Sequence, residues 1–222
     1  MRGKGAKSLY KITILIVGIA LSLYGCGIST TIVLFPPEIV VSSSQISIWN
    51  DSANYEPSEG LDQTFKGIEI FYRIFKDSTD ANAAADTLNQ KISYYPNDPH
   101  EFMNFATGEQ QKFLRMRSST NTISPLLTIS ATDTNQYTIK LSTWEMNDIS
   151  NTKVIRNINR FNNTNFEDRY FLQTDEDYSG PNSIKEGDYF IVCFAVAYGE
   201  YIGEEFYSIP KSIEKFIYSG IL

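Results

Sequence analysis

Two cysteines, one histidine and two tryptophans in 222 residues leave little material for several kinds of chemistry. With only His100, Cys26 and Cys193 to draw on, the chain cannot assemble a multi-histidine or multi-cysteine zinc set. Serine–histidine or cysteine–histidine catalysis would have to pass through His100, and its setting, PNDPHEF, reads as a proline-bracketed surface loop. The G-x-S-x-G nucleophile elbow is missing, as are the glycine loops that cradle phosphates. Positive charge is also short: 19 Lys and Arg against 26 Asp and Glu give a net charge of −7. Nucleic-acid binding needs a basic face that displaces counterions, so no nucleic-acid partner is expected. The longest apolar run, Ile12 to Gly25, is interrupted by Ser22 and falls short of the roughly 20 residues a membrane-spanning helix requires.

What the chain does have begins at its N-terminus. Arg2, Lys4, Lys7 and Lys11 form a charged start, the apolar run follows, and LSLYGC closes it at Cys26. That order is the layout of an export signal over residues 1–25. Leu23, Tyr24, Gly25 and Cys26 resemble the lipobox of bacterial lipoprotein signal peptides; the tyrosine departs from the usual small residue. The resemblance implies cleavage before Cys26, a diacylglyceryl thioether on its sulfur and a further acyl chain on the new N-terminus. Several chains hold where one is marginal, because each buried methylene adds about 0.8 kcal/mol. With Cys26 lipidated, Cys193 has no disulfide partner and reads as a small buried hydrophobe.

A tether over residues 26–36 leads to a single domain from residue 37 to 222. Its 14 tyrosines and 14 phenylalanines favour β-structure, where large rings pack on a pleated surface. EIVVSSSQISIWN (38–50) predicts one or two strands. FKGIEIFYRIFKD alternates Ile68, Ile70, Tyr72 and Ile74 against Glu69, Phe71, Arg73 and Phe75. One amphipathic helix is predicted near 80–93, with Ala81, Ala84, Ala85, Leu88 and Ile92 on one stripe and Pro96 closing it. Further strands are expected in KFLRMRS, LLTISA, YTIKLST, KVIRNI and RYFLQ, between polar turn clusters. In EGDYFIVCFAVAYGEYIGEEFYS both faces are apolar: Phe190, Val192, Phe194 and Val196 on one, Ile191, Cys193, Ala195 and Ala197 on the other. A doubly apolar antiparallel strand needs cover on both sides, and the small residues Cys193, Ala195 and Ala197 suit the alanine-rich helix.

GIEIFYRI resembles the third strand of an immunoglobulin or fibronectin type III domain, and EGDYFIVCFAVA the penultimate strand with its corner tyrosine. The fold class expected is therefore mainly β: an elaborated antiparallel β-sandwich of that kind, with one short α-helix packed on it and an N-terminal signal helix. The lipobox, the PPE at Pro36 to Glu38, IEIFYRIF and the ending AVAYGEYIGEEFYSIP together resemble uncharacterised treponemal lipoproteins. That resemblance implies a bacterial cell envelope location, lipid-anchored on the exported side, and brings no activity with it.

Outside the anchor, DEDYSGPNSIKE (175–186) is the sharpest local pattern. Asp175, Asp177, Ser179 and Glu186 fall at positions one, three, five and twelve of a calcium loop, with Gly180 at six. Asn182 occupies the place of the usual apolar residue and the flanks read as strands, so a solvated acidic loop without metal is the default. The sequons at Asn50 and Asn162 read as coincidence, and no acidic pair among 26 singles itself out for hydrolysis. The functional expectation is a membrane-tethered, non-enzymatic binding or interaction module, in contact with membrane lipid through its anchor and with an unidentified protein or ligand. The alternatives are a structural envelope protein or a carboxylate-dependent hydrolase.

Overall fold

A computed structural model describes residues 33–55, 65–120, 125–147, 152–159, 164–168, 170–181, 183, 187–201 and 203–218. Residues 1–25, expected to be a signal segment, lie outside the described residues, as do Cys26 and Glu186. Two long strands organise what remains, β3 (Phe65–Phe75) and β11 (Tyr189–Tyr201). They pair antiparallel from Phe190 opposite Phe75 to Ala197 opposite Ile68, with a register shift at Tyr198 and Gly199. Both are buried along most of their length, which a strand tolerates only when each face of the sheet is covered.

Short segments complete this seven-stranded sheet from either edge. Against β3 lie β4 (Leu114–Arg115), β6 (Leu127–Thr128) and β10 (Tyr178–Ser179); against β11 lie β12 (Glu204–Tyr207) and β13 (Glu214–Tyr218). The β3–β10 pair is parallel, Tyr178 opposite Ile74, so the sheet is mixed at one edge. The approach of β6 depends on Gly67, whose φ is +147° and whose absent Cβ would run into the Leu127 carbonyl and Pro125. A second sheet takes the order β1 (Glu38–Val41), β2 (Gln45–Trp49), β7 (Tyr137–Lys140), β8 (Glu145–Met146), and β5 (Arg117–Ser118) pairs with β9 (Val154–Ile155).

Two helices are described, one more than the sequence pattern predicts. Helix α1 (Ser78–Tyr94) starts where the Asp77 carboxylate accepts from the Thr79 amide, and it buries Ala81, Ala85 and Leu88 at helical spacing. Helix α2 (Pro99–Thr107) occupies the stretch expected to be a loop around His100. Pro99 sits in its first turn, where proline has no donor to lose, and Asp98 caps the Glu101 amide. RYFLQ forms no named strand among its described residues, and KFLRMRS divides into β4 and β5.

The sheet face that receives the helices also differs from expectation. Ala81, Ala85 and Leu88 pack with Val192, Phe194 and Val196 of β11 and with Phe71 and Phe75 of β3, not with Cys193, Ala195 and Ala197. Helix α2 joins the same layer through Phe102, Met103 and Ala106. Phe194 is its centre: Phe71 stacks on it at 5.4 Å, and Phe102 and Phe113 stand at 5.5 and 5.7 Å. On the opposite face Tyr72 meets Phe166, Phe166 stacks on Trp144 at 3.9 Å, and Trp144 reaches Tyr218. Two sets of large rings therefore cover the two faces of the central strand pair.

Candidate functional site

The calcium-loop residues meet a different partner from the one their spacing suggests. Asp175 and Asp177 turn inward onto the guanidinium of Arg156, which is itself buried. Arg156 donates Nε to Asp177 Oδ2 at 2.8 Å and Nη2 to Asp177 Oδ1 at 2.5 Å, and Nη2 also reaches Asp175 Oδ2 at 2.8 Å. The Tyr72 hydroxyl donates to Asp177 at 2.6 Å and accepts from the Asn157 amide at 3.1 Å. Beneath the guanidinium lies the Phe171 ring, 4.5 Å away. Ser179 belongs to β10. Burial pulls the Arg156 pKa down, but the hydrogen bonds and charge of Asp177 outweigh it and hold it above the ordinary arginine value. Burial first, then the Asp177 charge, raises Tyr72. Groups so fully engaged with one another tie β3, β9 and β10 together. Among the described residues no cluster of three acidic, histidine or cysteine side chains is arranged to hold a metal.

Asn50, one of the two sequons, is likewise absorbed by the fold. Its amide donates to the Ala131 carbonyl at 2.8 Å and its Oδ1 accepts from Asn54, which in turn holds both backbone groups of Phe35. This buried chain fixes the point where the polypeptide enters the domain. Asn162 lies outside the described residues.

The open chemistry lies on the helical side of the large sheet, in a cleft of about 460 Å³, within the size range of small-molecule sites. Helix α2 supplies His100, Met103, Asn104 and Thr107 to one wall; β12 supplies Glu205, Phe206 and Tyr207 to the other. Phe71 and Phe113 lie between them, as outliers of the ring cluster around Phe194. The remaining wall is Leu114, Arg115 and Arg117. Strand alternation puts Arg115 and Arg117 on the same side while Met116, fully buried between them, bonds its amide to the Ile70 carbonyl at 2.7 Å.

The polar groups of the cleft are graded. Arg115 is held between buried Glu69 at 3.3 Å and half-exposed Glu205 at 3.9 Å. Glu205 also accepts from Tyr207 at 2.8 Å and Tyr198 at 3.3 Å. Burial, with the Glu205 charge second, pushes the Tyr198 phenol up to about 12, and burial with the Glu205 hydrogen bond raises Tyr207 as well. Arg117 is shifted the other way: burial, then repulsion from Arg115, lowers its pKa. His100 Nδ1 lies 3.2 Å from the Asn104 amide one turn along α2. Among the described residues the lining contains no serine or cysteine. An apolar ring-lined floor with a few converging polar groups suits recognition of a small molecule.

None of the cleft residues carried a motif in the sequence, because they come from β3, α2, β4, β5 and β12. The usable signal was R-M-R at 115–117, in which two arginines on one strand face flank an apolar residue. Comparison with known protein families, characterised proteins and solved structures finds no match. The site therefore rests on its own geometry.

Proposed function

We propose that this protein is a lipid-anchored, non-enzymatic binding module of a bacterial cell envelope, and that the cleft between α2 and β12 is its recognition site. The anchor reading is supported by Leu23, Gly25 and Cys26 in register behind a short apolar run. The binding reading is carried by one observation, a 460 Å³ cleft whose lining joins the half-buried rings of Phe206 and Tyr207 to two arginines. The domain that presents it is read as an elaborated sandwich of the immunoglobulin or fibronectin III kind, supported by the stacking of Trp144, from the β7–β8 turn, on the ring layer over the large sheet.

Each half has its own test. Cys26→Ala should abolish incorporation of labelled fatty acid and shift the chain out of the membrane fraction; an unchanged distribution refutes the anchor. For the cleft, the chain contains four methionines, of which Met103 lines the site while Met146 is buried in β8. Carbon-13 methyl spectra of the full-length chain in lipid nanodiscs, recorded against a mixed set of neutral and charged small molecules, should show saturable shifts of Met103 with Met146 unmoved. A Met103 signal indifferent to the whole set overturns the binding reading.

A further inference from the structure

We infer that the junction of α1 and α2 carries a second binding site, a seat for a quaternary ammonium group. It is formed by the rings of Tyr94, Tyr95 and Phe105 and is filled in this structure by the chain's own Lys91. None of these four residues lines the cleft described above, so the failure of either site leaves the other untouched.

A cation already in place marks the seat. The Lys91 ammonium stands 4.7 Å from the centre of the Phe105 ring and 5.6 Å from those of Tyr94 and Tyr95, each within the roughly 6 Å over which a ring face attracts positive charge. Lys91, Tyr94 and Tyr95 come together because they lie three and four residues apart at the end of α1. The Tyr95 amide closes that end on the Lys91 carbonyl at 2.9 Å, and the Asp98 amide bonds the Tyr95 carbonyl at 3.2 Å, so the chain turns at once into α2 and brings Phe105 back to the same point. Tyr95 and Phe105 are half-buried and pack against the core beneath the helices, which forms most of the seat before any ligand arrives. Tyr94 is 65% exposed and leaves the third side open to solvent.

The chemistry of the seat suits a methylated cation better than the lysine it holds. Among the described residues Lys91 makes no ion pair with a carboxylate, and ring faces offer its three N–H donors no strong acceptor. A primary ammonium there must keep water on those donors. A trimethylated nitrogen has no donor to satisfy, so it sheds water at less cost and lays its methyl groups on the rings. Two further features favour positive charge: the C-terminal end of α1, where the last carbonyls are partly negative, and the net charge of −7, which draws cations to the molecule. Lys91, on a flexible four-carbon stem, is then a built-in competitor that swings into solvent when a better-fitting cation arrives.

The test follows the N-methyl proton signal of choline and the tert-butyl signal of its neutral carbon isostere, 3,3-dimethylbutan-1-ol. Both are titrated into the full-length chain in nanodiscs of phosphatidylethanolamine and phosphatidylglycerol. Ring faces should move the choline signal upfield to saturation, and the isostere should bind about tenfold more weakly for want of charge. Lys91→Ala removes the competitor, keeps a good helix former in α1 and should tighten choline several-fold. Added to that variant, Tyr94→Leu or Phe105→Leu keeps apolar bulk but removes a ring, and each should weaken choline; should the Phe105 variant misfold, the exposed Tyr94 position still gives the answer. Phosphatidylcholine in the nanodisc separates two sources of the group: headgroups that reach the seat make free choline bind more weakly, whereas an unchanged affinity assigns it to soluble cations. Equal affinity for choline and the isostere overturns the cation assignment. An affinity that Lys91→Ala leaves unchanged overturns the competitor, binding that neither ring variant weakens overturns the seat, and no binding with Lys91 removed overturns the site altogether.

Discussion

Arg156 shows how far a single residue can redirect the meaning of a motif. Its guanidinium takes the carboxylates of Asp175 and Asp177 that calcium-loop spacing would offer to a metal. Arg156→Met would leave both acids buried without their cation, at a cost of about 3–5 kcal/mol. Urea unfolding should record this as a lower midpoint, and Asp177→Asn should cost more than Asp175→Asn because Asp177 also accepts from Tyr72. The tyrosines make a second prediction, in pH. Tyr72 lies well above the ordinary value of 10.0 and Tyr198 at about 12. A raised folded-state pKa adds stability that is fully present below the unfolded value and is lost as pH rises through the folded one. Stability should therefore fall from about pH 10 toward 12 and beyond, with the share of phenolate absorbance that belongs to the buried tyrosines appearing as the chain unfolds rather than before it. Burial of Arg156 was not visible in KVIRNI, since nothing in a short strand pattern says that its arginine, and not its lysine, meets two acids some twenty positions on.

At the scale of elements, β3, β11 and α1 follow from local pattern. Alternation correctly sorted Ile68, Ile70, Tyr72 and Ile74 from Glu69, Phe71, Arg73 and Phe75, and the stripe of Ala81, Ala85 and Leu88 marked the helix. Helix α2 escaped because Pro99 was read as a breaker, although proline in a first turn is an initiator when Asp98 stands ready to cap. The pairing of α1 with the larger side chains of β11 was illegible for another reason. Both faces of that strand are apolar, so periodicity carries no sign to tell the helix side from the other. Gly67 tests the element scale directly. Its positive φ and the Leu127 carbonyl leave no room for a side chain, so Gly67→Ala should cost about 1–3 kcal/mol. Hydrogen exchange should speed up at β6 and the Phe65 end of β3 before it does at the β11–β13 pair.

For the whole molecule, the central strand pair is enclosed by rings on both sides, and Cys193 reports on that enclosure. It is fully buried in β11, and burial raises its thiol pKa. In the Cys26→Ala chain it is the single thiol; it should react with a thiol reagent only at the rate of global unfolding, tracking the unfolding midpoint as urea is added. Reaction faster than unfolding would show that the sheet opens locally. What the sequence by itself determined is local: the alternation of the two long strands, one helix with its buried stripe, and the balance of charge. These follow from near neighbours along the chain, where spacing alone decides which groups share a face. Tertiary structure alone decided which face of β11 the helices cover, that two acids of a metal-like loop serve Arg156, and that Phe71, Phe113, Arg117 and Met103 share one cleft. Those outcomes depend on which distant surfaces bury each other and on where buried charge finds its partner, free-energy differences set between segments rather than within them.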